Sequence, residues 1–137
     1  MVPVNYRSPM ARLVEGPEEL RVVMTRLERL GAFHSDLVLP LEQIIAVRAT
    51  TDAWSDLRGL RAPGTGIPGT LMLGTCRGSF GKDFCVVRGH GPGVVLDLTG
   101  GEFARVIVSD GQAPITAERL RRLLRRSPGE PAEPPSS

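Results

Sequence analysis

Apolar and polar residues alternate along most of this chain in short runs. Glycine and proline cut the runs at intervals of about 8–12 residues, which is the pattern of short β-strands joined by turns. Residues 12–14 open the first predicted strand, and Gly16-Pro17 turns the chain. A second strand over 19–25 places Leu20, Val22 and Met24 on one face. Residues 26–33 read as a short helix with Leu27, Leu30 and Gly31 on one side, and residues 37–40 as a strand ended by proline. Residues 42–50 are rich in β-branched side chains and alternate, with Ile45 and Val47 on one side and Ile44, Ala46 and Arg48 on the other. Residues 51–58 predict one helical turn capped by Thr51 or Asp52. Residues 59–70, with four glycines and two prolines, predict a shaped loop. Two strands follow as a hairpin, residues 71–77 and 82–88, the first bent or bulged at Gly74. Residues 94–98 and 103–109 are the last two strands.

The period then changes. Over residues 115–126, Leu120, Leu123 and Leu124 recur at helical spacing while five arginines fill the other positions, so the segment predicts an amphipathic helix. Its start falls at Thr116 or in the turn Gln112-Ala113-Pro114. About seven short, half-apolar strands need something to cover one face, and the natural arrangement is an antiparallel sandwich or small barrel. The helix would plug an open end, each buried leucine contributing about 1.5–3 kcal/mol. The chain divides into a loose lead-in (1–10), a single domain (11–126) and a disordered proline-rich tail (127–137).

Composition narrows the function classes. The hydrophobic share of 41% and charged share of 23% are those of a globular domain, and no apolar run approaches the about 18 residues that a membrane span requires. A formal net charge of +2 is too small for a dedicated nucleic-acid binder. The first residues lack the basic start and apolar core of a signal peptide, and the two cysteines, Cys76 and Cys85, fit neither a zinc site nor a disulfide scaffold. Both point to a cytoplasmic protein with buried thiols, which would face each other if their segments are adjacent strands.

The stretches LPLEQIIAVRATTDAW (39–54), LRGLRAPGTGIPG (57–69) and LGTCRG (73–78), with the strand pair GVVLDL and FARVIVS, carry a resemblance. In order and spacing they resemble the small bacterial pleckstrin-homology-like (PH-like) domain proteins of uncharacterised function, common in actinobacteria. The resemblance covers half to two thirds of the chain. It implies a mainly β fold, a bent antiparallel barrel of about seven strands with a C-terminal amphipathic capping helix, and it brings no catalytic signature. Many relatives carry a transmembrane segment beside this domain, and this chain shows none.

Chemistry-bearing patterns are few. Gly64-Thr65-Gly66-Ile67-Pro68-Gly69 spells G-x-G-x-x-G but lacks the preceding strand and following helix of a dinucleotide site, and Pro68 removes a backbone donor. Gly81-Lys82-Asp83 lacks the upstream glycine of a phosphate-binding loop. His34 and His90 read as exposed turn histidines, and the carboxylates are too scattered for paired acid–base work.

Two clusters remain as candidates. Trp54, Arg58, Arg61, Arg77 and Lys82 flank the glycine-rich segment, where guanidinium groups beside an aromatic ring suit a carboxylate or phosphate. Arg121, Arg122, Arg125 and Arg126 form a basic helix face suited to an anionic surface. The expectation is a non-enzymatic interaction module for a protein or peptide, or for its own copy across a strand edge, with no cofactor, no metal and no nucleic acid. The alternatives are a peripheral module for anionic lipid or a phosphorylated ligand, with weak membrane contact, and, last, a small-molecule-binding protein or enzyme.

Overall fold

The computed structural model describes residues 12–24, 37–58, 60–67 and 71–125, with 60–67 described by their backbone. The predicted helix over 26–33, the lead-in, the tail, His34 and Arg126 lie outside the described residues.

Alternation builds the first sheet. Strands β1 (Arg12–Glu15), β2 (Glu19–Val23) and β3 (Leu37–Pro40) pair antiparallel in that order. Leu13, Leu20, Val22, Leu37 and Leu39 point inward, while Val14, Arg21 and Val38 line the outer face. The second sheet holds β4 (Ile44–Thr50), β5 (Leu60–Ile67), β6 (Leu71–Gly78), β7 (Gly81–Arg88), β8 (Gly93–Leu98) and β9 (Arg105–Ser109), in the spatial order β4-β8-β9-β7-β6-β5. Helix α1 (Ala113–Leu124) follows, with Pro114 in its first turn, where a missing N–H is harmless.

The two sheets and α1 enclose the main core. Phe84 and Val86 of β7, Val94 and Leu96 of β8, and Val106 and Val108 of β9 point toward the first sheet and toward Ala113, Ala117 and Leu120 of α1. Phe84 and Phe103 meet there with ring centroids 5.4 Å apart and planes tilted by 56°. Alternate residues of the same strands, Cys85, Val87, Val95 and Ile107, point to the opposite face and form a second cluster with Met72 and Cys76. The 3-10 turn Ala53–Asp56 covers that cluster, and Trp54 and Leu57 pack on it. Burial on both faces explains why β7, β8 and β9 read as nearly unbroken apolar runs rather than as alternating strands.

The fold is mainly β with a C-terminal helix, as the pattern predicts, but three details differ. First, β4 and β5 are the ends of the larger sheet, so neither sheet closes into a barrel. Second, β7 and β9 pair parallel, because β9 inserts between β8 and β7. Third, residues 60–67 of the expected loop form strand β5, whose register against β6 shifts between Arg61 and Gly64. Pro63 lies within that shift, where an edge strand tolerates a residue without a donor. A comparable shift between Ile44 and Ala46 corrects the expected facing of β4: Ile44 and Val47 are buried, and Ile45 is 63% exposed.

Candidate functional site

The second face of the large sheet carries a group of neighbouring ion pairs. Its cross-strand register defines two rows. One runs Cys76, Asp83, Arg105, Asp97 across β6, β7, β9 and β8. The next runs Gly74, Cys85, Ile107, Val95, Arg48 across the same strands to β4. A row of alternating charge therefore lies beside an apolar row, and each charge on it is paired. Arg105 donates from Nε to Asp97 at 2.9 Å.

Asp83 is fully buried, so its carboxylate needs a cation that leaves water with it. Arg58 supplies that cation through two bonds, Nε to Oδ2 at 2.6 Å and Nη2 to Oδ1 at 3.0 Å. The guanidinium carbon also lies 4.0 Å from the centre of the Phe80 ring. The hydrogen bonds to Asp83 outweigh desolvation and raise the Arg58 pKa further. Arg58 is therefore committed to a buried carboxylate, although part of its own side chain reaches solvent.

The turn above this row is built by Asp52. Its carboxylate accepts from Ser55 N at 3.4 Å and from Ser55 Oγ at 2.7 Å, which caps the turn Ala53–Asp56 as expected. His90, at the β7–β8 turn, places Nδ1 2.9 Å from Asp52 Oδ1, and its ring lies 5.8 Å from that of Trp54. The bonds from Ser55 and then from His90 hold the Asp52 carboxyl below its ordinary range. For Asp56, burial opposes ionisation, but hydrogen bonds from Arg48 and Thr50 prevail and its pKa also falls. Ser55, Asp52 and His90 do not form a nucleophilic relay, because Asp52 sits between the hydroxyl and the imidazole.

The sequence-derived candidates thus separate. Trp54 is half-buried and anchors the turn. Lys82 bonds Glu102 at 3.0 Å and lies 5.7 Å from the Phe103 ring centre, on the main-core side. Arg77 faces Lys82 across the hairpin and is exposed. Arg61 lies on β5, opposite Cys76. On α1, Arg121 donates to the Val47 carbonyl at 3.1 Å and to Glu118 at 3.2 Å, while Arg125 and Arg122 approach the same Glu118 carboxylate at 3.5 Å and 4.0 Å. Arg58 and Arg77 belong to opposite faces of the sheet, so the five residues make no single patch.

Sequence reasoning missed Asp83. Its position at the head of the apolar run Phe84-Cys85-Val86-Val87 was the available signal, since a carboxylate in a buried strand requires a partner. Cys76 and Cys85 lie on adjacent strands as diagonal rather than directly opposite residues, with Sγ atoms 3.8 Å apart and neither in a disulfide.

Among the described residues no group of three or more His, Cys, Asp or Glu side chains could hold a metal ion. Among the same residues no helix is long and apolar enough to cross a membrane. Searches of family models, curated proteins and solved structures found no match to the chain.

Proposed function

We propose that this domain is a non-enzymatic interaction module that takes an extended polypeptide, from another protein or from a second copy of itself, along the outer edge of β5. The observation that carries this reading is the difference between the two ends of the large sheet. The β4 end is blunted: α1 packs beside it, and Arg121 occupies the Val47 carbonyl. The β5 end has no strand paired outside it among the described residues. Beyond Pro63 and the register shift, residues 64–67 pair regularly with β6 and offer backbone donors and acceptors on their outer side to an added strand.

The PH-like assignment belongs to this proposal, since the resemblance implies a β body followed by a terminal helix. A cytoplasmic location belongs to it too, because reducing conditions keep neighbouring thiols such as Cys76 and Cys85 from closing to a disulfide. The reading that uses the arginines for an anionic ligand is weaker. Arg58 would have to abandon a buried carboxylate, and Arg121, Arg122 and Arg125 share Glu118.

Selection of peptides by random display on the full chain, with sedimentation of the chain alone over a range of concentrations, tests the proposal. The expected result is recovery of extended peptides, or self-association, weakened about tenfold or about 1.4 kcal/mol by Thr65→Lys, which sets a charge on β5. Equal affinity of wild type and Thr65→Lys, or a monomer that selects no peptide, would overturn it.

A further inference from the structure

We propose that Cys76 and Cys85 are a redox modification site, closing reversibly to an intrachain disulfide on the second face of the large sheet. Three observations carry this, none of which depends on the β5 edge. The sulfurs are already 3.8 Å apart on neighbouring strands and point to the same face. They are diagonal partners, since Cys76 pairs with Asp83 and Cys85 with Gly74. Gly74 has a φ of 129°, a conformation that L side chains rarely adopt, and it sets no side chain across from Cys85. The strand can therefore bend two residues before Cys76.

Diagonal neighbours usually stand about 7–8 Å apart at Cα, at or beyond the upper limit for a relaxed disulfide. The bridge therefore requires a small shift of β6 along β7. A bridge formed against such resistance belongs to the easily reduced, responsive class rather than to the structural class. Burial keeps the reduced pair stable: both cysteines lie beneath the turn that carries Trp54 and Leu57. The hydrogen bond to Cys76 and burial push the Cys85 thiol well above its ordinary pKa, so Cys85 offers little thiolate to attack bulky thiol reagents.

The matching oxidant is small and neutral, of the hydrogen peroxide class. Cys76, whose sulfur accepts the Cys85 S–H, loses its proton and attacks peroxide as the thiolate, gaining an S–O bond as the O–O bond breaks, and water leaves carrying that proton. The second thiol attacks the resulting sulfenic sulfur, the S–S bond forms, and a second water leaves. Two thiols lose two electrons, peroxide gains them, and both thiol protons end in water. A dithiol reductant reverses the bridge by exchange.

The test treats the folded, reduced full chain with peroxide, alkylates the remaining thiols after denaturation, and weighs the intact chain. Trypsin cleaves after Arg77 and Lys82, so the two cysteines fall on separate peptides that only the bridge joins. The expected result is a monomer lighter by two hydrogen atoms, joint loss of both thiols, one linked peptide pair, and full recovery with dithiothreitol. Cys85→Ser should instead leave a sulfenic acid on Cys76 that dimedone traps. Independent oxidation of the two cysteines to sulfinic acid, dimers linked between chains, or a bridge that forms only after denaturant unfolds the chain would each overturn the proposal. The wild-type measurement decides the matter even where a variant fails to fold.

Discussion

Arg58 and Asp83 are bound to each other but not equally dependent. The Asp83 side chain is 0% exposed, whereas that of Arg58 is 34% exposed. Removal of Arg58 strands a carboxylate with no route to water. Removal of Asp83 leaves a guanidinium that can turn outward. Arg58→Ala should therefore lower stability by about 3 kcal/mol, near the low end for a broken buried pair because solvent already screens the cation. Asp83→Ala should cost less, and urea denaturation midpoints measure both. Equal effects, or a larger effect for Asp83→Ala, would refute the asymmetry. Arg58 also shows how a candidate drawn from the chain can be real chemistry with an internal address. Its fork does grip a carboxylate beside an aromatic ring, but the carboxylate is Asp83 and the ring is Phe80.

The turn Ala53–Asp56 lies flat on the sheet because of Gly93. A Cβ at that position would stand 2.7 Å from the Val108 carbonyl oxygen and 2.9 Å from the Ala53 Cβ. Neither neighbour is the flexible end of a side chain, so the turn or the β8–β9 register must give way. Gly93→Ala should destabilise the fold by about 1–3 kcal/mol and increase the exposure of Trp54, read as a red shift of its fluorescence. Unchanged stability and emission would mean that the turn rides more loosely than the packing indicates. Strands with one wet face were legible from their residues: Leu20, Val22 and Met24 are buried as alternation requires. The helix was legible too: Leu120 is buried and Arg119, Arg122 and Arg125 are exposed, although Arg121 turns back to the Val47 carbonyl. Ile45 was not, because a register shift changes the facing of a strand without leaving a mark in its alternation. Strand β5 was not either: its glycines and Pro63 favour a turn locally, and pairing with β6 outweighs that preference.

For the molecule as a whole, burial is graded from the centre of the large sheet outward. Strands β7, β8 and β9 are covered on both faces, whereas β5 lies at the sheet's end and the three-stranded sheet has one exposed face. Amide hydrogen exchange should accordingly be slowest in β7–β9 and faster in β1, β3 and β5, with β6 between them. Uniform protection across the large sheet would refute this ranking. The candidate site was partly legible at this scale. The hairpin read from the pattern makes the two cysteine segments adjacent strands, on which the thiols would face each other; the strands do pair, and the thiols lie close as diagonal neighbours. The row from Asp83 through Arg105 to Asp97 was hidden, because it depends on β9 lying between two strands that adjoin in sequence.

That insertion also orders events during synthesis. Strands β7 and β8 are joined by a short turn and emerge from the ribosome together, yet in the finished sheet they are not neighbours. The strand that separates them is made later, and the helix that seals the core later still. Until residues 105–109 arrive, the halves β4-β8 and β7-β6-β5 have no strand to join them. The nascent chain therefore exposes its most apolar segments before it can bury them, and any pause in translation ahead of Arg105 prolongs the interval in which those segments are open to chaperones or to one another.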